Sequence, residues 1–134
     1  MKSIIRTLVF AVCIAAGLRA GAQTRDYDVF IPITKYIAQG NTDALSAWFS
    51  DNLDVSVLTK GGNSSKKQAV QLVNSFFSSH TPRSFSITHT AGRANMKYAL
   101  GNLSAGGESY IVTIFMSCKN DSYRIQQFKI ERVQ

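Results

Sequence analysis

The sequence predicts an α+β fold in which three helices pack on one face of a bent antiparallel sheet, behind an N-terminal export signal. Three observations carry this reading. Apolar residues recur at helical spacing in two stretches of the first eighty residues, period-two alternation marks a strand between them, and short Gly/Asn/Asp turns cut the remainder into four strand-length segments.

The chain opens with positive charge at Lys2 and Arg6, continues through a mostly apolar core from Ile4 to Leu18, and reaches the small residues Ala20-Gly21-Ala22. That is the layout of a cleavable signal peptide, residues 1–22, with the exported protein beginning at Gln23. The apolar run stops at Arg19, short of the ~20 residues of a spanning helix, so no membrane span is expected after cleavage. Cys13 follows Val12 rather than a small residue and sits too early for a lipid attachment site. Residues 23–134 are then read as a single α+β domain, large enough to bury a core without covalent staples.

Cleavage takes away Lys2, Arg6 and Arg19, so three of the seven positive charges in the net +7 belong to targeting. The remaining basic residues are scattered, Lys66-Lys67 being their one adjacent pair, whereas a nucleic-acid surface clusters Lys and Arg among aromatics. No nucleic-acid partner is expected. Removal of Cys13 leaves Cys118 alone, which excludes an internal disulfide.

Phe30, Ile31, Tyr36 and Ile37 share helical spacing, with Asp28 as cap and Pro32 in the first turn, and this helix should end near Gly40. Thr42 can cap a second helix with Leu45, Trp48 and Phe49 on its apolar stripe. From Leu53 to Thr59 the period becomes two, which places Leu53, Val55 and Val57 on one face and Asp54 and Ser56 on the other, and the strand should end at Gly61-Gly62. Ser65 and Gln68 have capping-box spacing ahead of a stripe of Ala69, Leu72, Val73, Phe76 and Phe77, a third helix that must stop before Pro82. Strands are expected over 84–91, 96–104, 109–119 and 122–133. In the last, Tyr123 and Ile125 have one parity and Phe128 and Ile130 the other, which predicts a bulge near Gln126-Gln127.

The order helix, helix, strand, helix and four strands resembles the nuclear transport factor 2-like, or cystatin-like, fold, which implies three helices and a strongly bent sheet enclosing a cone-shaped cavity. More narrowly, the stretches GNTDALSAWFSDNLDVSVL, KKQAVQLVNSFFSSHTPRSFSITHT and YALGNL are similar to the DUF4783 family of small secreted bacterial proteins. The resemblance covers about Tyr27 to Val133 and brings no established activity; a fold does not supply a function.

His80, His89 and Cys118 show no paired metal-ligand spacing, so neither metal nor cofactor is expected. Cys118 shares parity with Val112, Ile114 and Met116 and reads as a packed side chain, although a Cys118–His89 nucleophile pair is formally available. His89 shares parity with Phe85, Ile87 and Ala91, which would turn it toward the core, as either a satisfied structural histidine or part of a cavity wall. Tyr98 and Tyr110, on neighbouring strands, can present rings to a pocket and hydroxyls to a ligand. His89, Tyr98, Tyr110, Phe85 and Ile87 are therefore the candidate ligand-binding residues, with no catalytic set. Ketosteroid isomerase, which resembles this fold, works with a carboxylate base and paired oxyanion donors in an apolar cone. This chain departs from that pattern: Asp54 alternates with apolar residues on the polar side of its strand, Glu108 adjoins a turn and Glu131 lies near the C-terminus. The Asn-x-Ser patterns at Asn63, Asn102 and Asn120 read as chance matches.

These features point to a non-enzymatic binding or interaction module, in the periplasm or outside the cell, that holds a small apolar ligand between helices and sheet. Two alternatives stay open: a small isomerase or dehydratase using His89 with Tyr98 or Tyr110 and Asp54, and a structural homodimer with a filled core. A homodimer through the outer sheet face is expected because Ile111 and Phe115 give the 109–119 strand apolar residues on both faces.

Overall fold

The computed structural model describes residues 27–133. The expected signal, Cys13 and the cleavage site before Gln23 lie outside the described residues.

Helix α1 (Phe30–Gln39) buries Phe30, Ile33 and Ile37. Pro32 lies in its first turn, where no intrahelical bond is lost. Asp28 is not its cap: the N-cap position is Val29, with no side-chain bond. Gly40 ends it in the left-handed conformation, φ 67°, donating its N–H to the Ile37 carbonyl at 3.1 Å. Helix α2 (Thr42–Ser46) is little more than one turn, and its cap is Asn41, whose Oδ1 accepts from the Ala44 N–H at 3.1 Å, not Thr42. Thr42 is buried inside the helix instead. Trp48 and Phe49 leave the expected helical stripe because the sheet takes Phe49: it begins β1 (Phe49–Val57), pairs with Ile125 and packs on Phe128 with ring centroids 6.1 Å apart.

Leu53, Val55 and Val57 are buried and Asp54 is exposed, as alternation requires. The chain does not stop at Gly61-Gly62. It turns at Leu58, φ 60°, and returns as β2 (Lys60–Ser65), antiparallel to β1. Gly61 is what permits the close return, since a Cβ at that position would stand 2.0 Å from the Val55 carbonyl oxygen. Helix α3 (Lys66–Ser79) starts with a reciprocal capping box: the Gln68 N–H donates to the Ser65 hydroxyl at 3.2 Å, and the Ser65 N–H to the Gln68 side chain at 3.1 Å. It buries Ala69, Val73, Phe76 and Phe77. The meander β3 (Pro82–Arg93), β4 (Met96–Ala105), β5 (Glu108–Lys119) and β6 (Ser122–Arg132) follows.

The six strands form one sheet in the order β2-β1-β6-β5-β4-β3, with β1 parallel to β6 and the other neighbours antiparallel. This corrects the expected three-helix cone on a strongly bent antiparallel sheet. The described chain is mostly strand, the sheet is mixed, and one of the three helices is vestigial. The error has two physical sources: the Gly-rich β2 reads as a turn, and β1 finds its partner at the far end of the chain, after a crossover through α3 that permits parallel pairing. α1 lies over β3, and α3 over β1 and β2. Among the described residues no helix is long and apolar enough to cross a membrane.

Three register shifts interrupt the meander; the first leaves Arg83 extra at the start of β3, where Pro82 faces Ala105 and Ser84 faces Ser104. In β6, Ile125 faces Met116 and Gln127 faces Phe115, so Gln126 is the extra residue, and Ile125, Phe128 and Ile130 are all buried. In β3, Ile87 faces Gly101 and His89 faces Leu100, so Thr88 is extra.

Candidate functional site

The side chains expected to line a cavity divide between two faces. On the covered face, β4 and β5 align Leu103 with Tyr110, Gly101 with Val112 and Ala99 with Ile114, all buried. The Phe85 ring abuts Gly101, where an added Cβ would stand 2.5 Å from its Cζ. Tyr110 is fully buried and meets Phe76 edge-on at 5.1 Å and His80 at 5.9 Å, while His80 stacks on Phe76 at 4.5 Å. The Tyr110 hydroxyl donates to Glu108 Oε2 at 2.9 Å, and Arg132 Nη1 approaches both Glu108 oxygens at 3.2 Å. Burial pushes the Tyr110 phenol above its ordinary range, the bond to Glu108 and that carboxylate's charge add to the rise, and Arg132 opposes it. Phe76 and His80 of the α3 end thus pack their rings on Tyr110 of β5.

His89 is exposed, contrary to the expectation that it faces the core. The cause is the bulge: Thr88 consumes one residue of the alternation, so His89 aligns with Leu100 and Thr90 with buried Ala99. Tyr98, half-buried, is on the outer face with Leu100 and opposite Phe115. His89 and Tyr98 therefore share the outer face while Tyr110 occupies the inner one, and the three do not converge. Asp54 is exposed, and Cys118 is a half-buried free thiol. Among the described residues no group of three His, Cys, Asp or Glu could hold a metal ion.

Of the five candidates, Ile87 lines a surface groove. A groove of about 330 Å³ runs between α1 and β3, walled by Tyr27, Phe30, Ile31, Thr34, Ile87 and Thr90. Ile31 is 64 % exposed at its rim. At the Tyr27 end, the Lys97 ammonium lies 5.2 Å from the ring centroid, and Lys97, 7 % exposed, belongs to the inner face. Sequence reasoning missed Tyr27, Ile31 and Thr34 as a surface because Ile31 reads as part of the core stripe of α1. The usable signal was that Ile31, Phe30 and Ile33 cannot all face one way on a helix.

The model of the family described as "Domain of unknown function (DUF4783)" matches residues 30–131. A crystal structure of a DUF4783 family protein from Bacteroides uniformis is similar with a TM-score of 0.73 and 23% identity, over 77% of this chain and 95% of that one. A domain of unknown function with a cystatin-like fold from Nostoc punctiforme is similar at 0.64 and 10% identity, over 84% and 77% of the two chains. An NTF2-like protein from Cytophaga hutchinsonii is similar at 0.60 and 9% identity, over 79% and 93%. At these identities the likeness shows the fold, which is nuclear transport factor 2-like or cystatin-like. No curated protein matches the chain.

Proposed function

The chain belongs to the DUF4783 family, and on that premise we propose that it is an exported, non-enzymatic binding module that holds a small apolar ligand in the groove between α1 and β3. The observation that carries this reading is the groove itself: a concavity of about 330 Å³ with Phe30, Ile31 and Ile87 in its wall and Ile31 left largely in water. A ligand that covers Ile31 and the half-buried Ile87, with buried Phe30 as the floor, gains the hydrophobic free energy of taking their exposed surface out of water. Thr34 and Thr90 supply hydroxyls that orient a ligand's polar end. The division of His89, Tyr98 and Tyr110 between two faces supports binding over acid–base catalysis, which needs groups within hydrogen-bond reach. Export is supported by Lys2, Arg6, the apolar 4–18 stretch and Ala20-Gly21-Ala22.

Titration with an environment-sensitive apolar fluorophore tests the site. Saturable binding is expected, weakened at least tenfold by Ile31→Asp and by Ile87→Asn; undiminished binding in both variants, with unchanged circular dichroism, would remove the groove from consideration. Intact mass of protein recovered from its host should correspond to a chain starting at Gln23, and a chain retaining Met1 would overturn export with cleavage.

A second reading rests on a different observation. Tyr98, Leu100, Ile111 and Phe115 form a half-buried apolar patch on the outer face of β4 and β5, and a second copy of the chain is the partner that would cover it. Sedimentation should then give a dimer at micromolar concentration that Phe115→Asp dissociates. A concentration-independent monomer mass would remove this reading and leave the groove untouched.

A further inference from the structure

We propose that the protein carries a second site, for a small polar molecule bearing a phosphate or sulfate ester, in the basin where β1 and β6 part. The basin has a volume of about 470 Å³ and shares no lining residue with the α1–β3 groove. Lys66, Lys119 and Arg124 bring three positive charges to its wall, and Asp51 is its one acid. Among the described residues the ion pairs are Lys129–Glu131 and Arg132–Glu108, so none of the basin's charges is neutralised by a protein partner. Like charges gathered in one concavity repel, and a bound anion turns that repulsion into attraction.

The basin is a product of irregular strand pairing. Between Phe49, which faces Ile125, and Asp54, which faces Gln127, β1 spends five residues where β6 spends two. Ser50 and Asp51 consequently have no register partner on either side. The extra residue of β6, Gln126, lies in the same wall and donates from Nε2 to the Ser50 hydroxyl at 2.6 Å. Arg124 is held by a hydrogen bond from Nη1 to the Ala47 carbonyl, which fixes its guanidinium while leaving its other N–H groups to bind. Two bulges thus converge to open one polar pocket, and bulges re-aim side chains in this manner beside functional sites.

A net charge of two in the basin matches a phosphate monoester above its second pKa, about 6, and guanidinium with ammonium is the donor set that recognises tetrahedral oxyanions. The volume exceeds that of the anion alone and accommodates an attached group of sugar size.

Amide chemical shifts of the purified protein, followed by NMR during titration with glucose 6-phosphate, glucose 6-sulfate, inorganic phosphate and glucose, test the proposal. The esters should perturb Ser50, Asp51, Lys119 and Gln126 saturably, and glucose alone should not. Lys66→Gln and Lys119→Gln, which leave the Arg124–Ala47 bond intact, should each weaken binding about tenfold. Phosphate-ester affinity should rise between pH 5 and 7 while sulfate-ester affinity stays level, which separates the two sources of the oxyanion. Shifts of equal size at Lys35 on α1 and Arg83 on the opposite edge strand, or unchanged affinity in both variants, would overturn the site.

Discussion

The bulges at Gln126 in β6 and at Thr88 in β3 have opposite effects on what the strand buries. In β6 the extra Gln126 keeps Ile125, Phe128 and Ile130 all in the core, although their spacing in sequence breaks the period of two. In β3 the extra Thr88 takes a residue that the uninterrupted period would bury, His89, and gives it to water. A bulge can therefore be read from sequence when it preserves apolar burial across a change of parity. It is silent when the residues beyond it are small or polar, as Thr90 and Ala91 are here.

Deleting each extra residue gives the sharpest contrast. Without Gln126, restoring the ladder on one side turns Phe128 and Ile130 outward; at roughly 1.5–3 kcal/mol for each large apolar side chain, the expected loss exceeds about 3 kcal/mol. Without Thr88 the exchange is Thr90 for His89 and Ala91, and a loss of about 1 kcal/mol is expected, within the common range for single changes. Equal losses in denaturant melts would break the contrast. On β4, opposite Ile87, Gly101→Ala forces a methyl into the Phe85 ring, at an expected cost of about 1–3 kcal/mol. Adding Phe85→Leu should recover part of it, and a strictly additive double mutant would show that the ring is not the obstacle.

A smaller effect comes from alkaline pH. Tyr110 has a raised pKa in the folded protein, so above about pH 10 the unfolded chain loses its phenolic proton first. Its contribution is fully present below that pH and is lost as pH rises toward the folded pKa. Tyr110→Phe should flatten the stability decline above pH 10, and identical pH profiles for the two proteins would detach the decline from this residue. The smallest effect belongs to His89. Its replacement by Ala should change stability by no more than about 0.5 kcal/mol, and in the native protein it should react with diethyl pyrocarbonate faster than His80, which is stacked on Phe76. Slow modification of His89 would return it to the covered face.

What was legible in the sequence was whatever depends on neighbours along the chain. The α3 capping box, the alternation of Leu53, Val55 and Val57, and the parity change across Gln126 are all local statements, and each appears in the structure. What was not legible depends on distant partners. Phe49 belongs to β1 because Ile125 and Phe128 receive it, and no helical or strand period at Trp48-Phe49 could announce that. Lys60–Ser65 has almost no strand propensity and becomes β2 because Gly61 lets it approach β1 closely. The groove stayed hidden because Ile31 is indistinguishable from its buried neighbours until β3 is in place, and the basin because Lys66, Lys119 and Arg124 come from three elements.

The parallel pairing of β1 with β6 also orders events in time. Ser50 and Gln126 are bonded across 76 residues of chain, whereas each hairpin of the meander joins immediate neighbours. Closing so long a loop carries an entropic cost that is recovered only once the final strand is laid down. The meander should therefore assemble first and the β1–β2 hairpin dock onto β6 late. Val55→Ala should then speed unfolding far more than it slows refolding, whereas a slowed refolding rate would place β1 in the nucleus. Until that last docking, a ribosome that has delivered all but the C-terminal strand holds a chain whose N-terminal hairpin has no sheet to join.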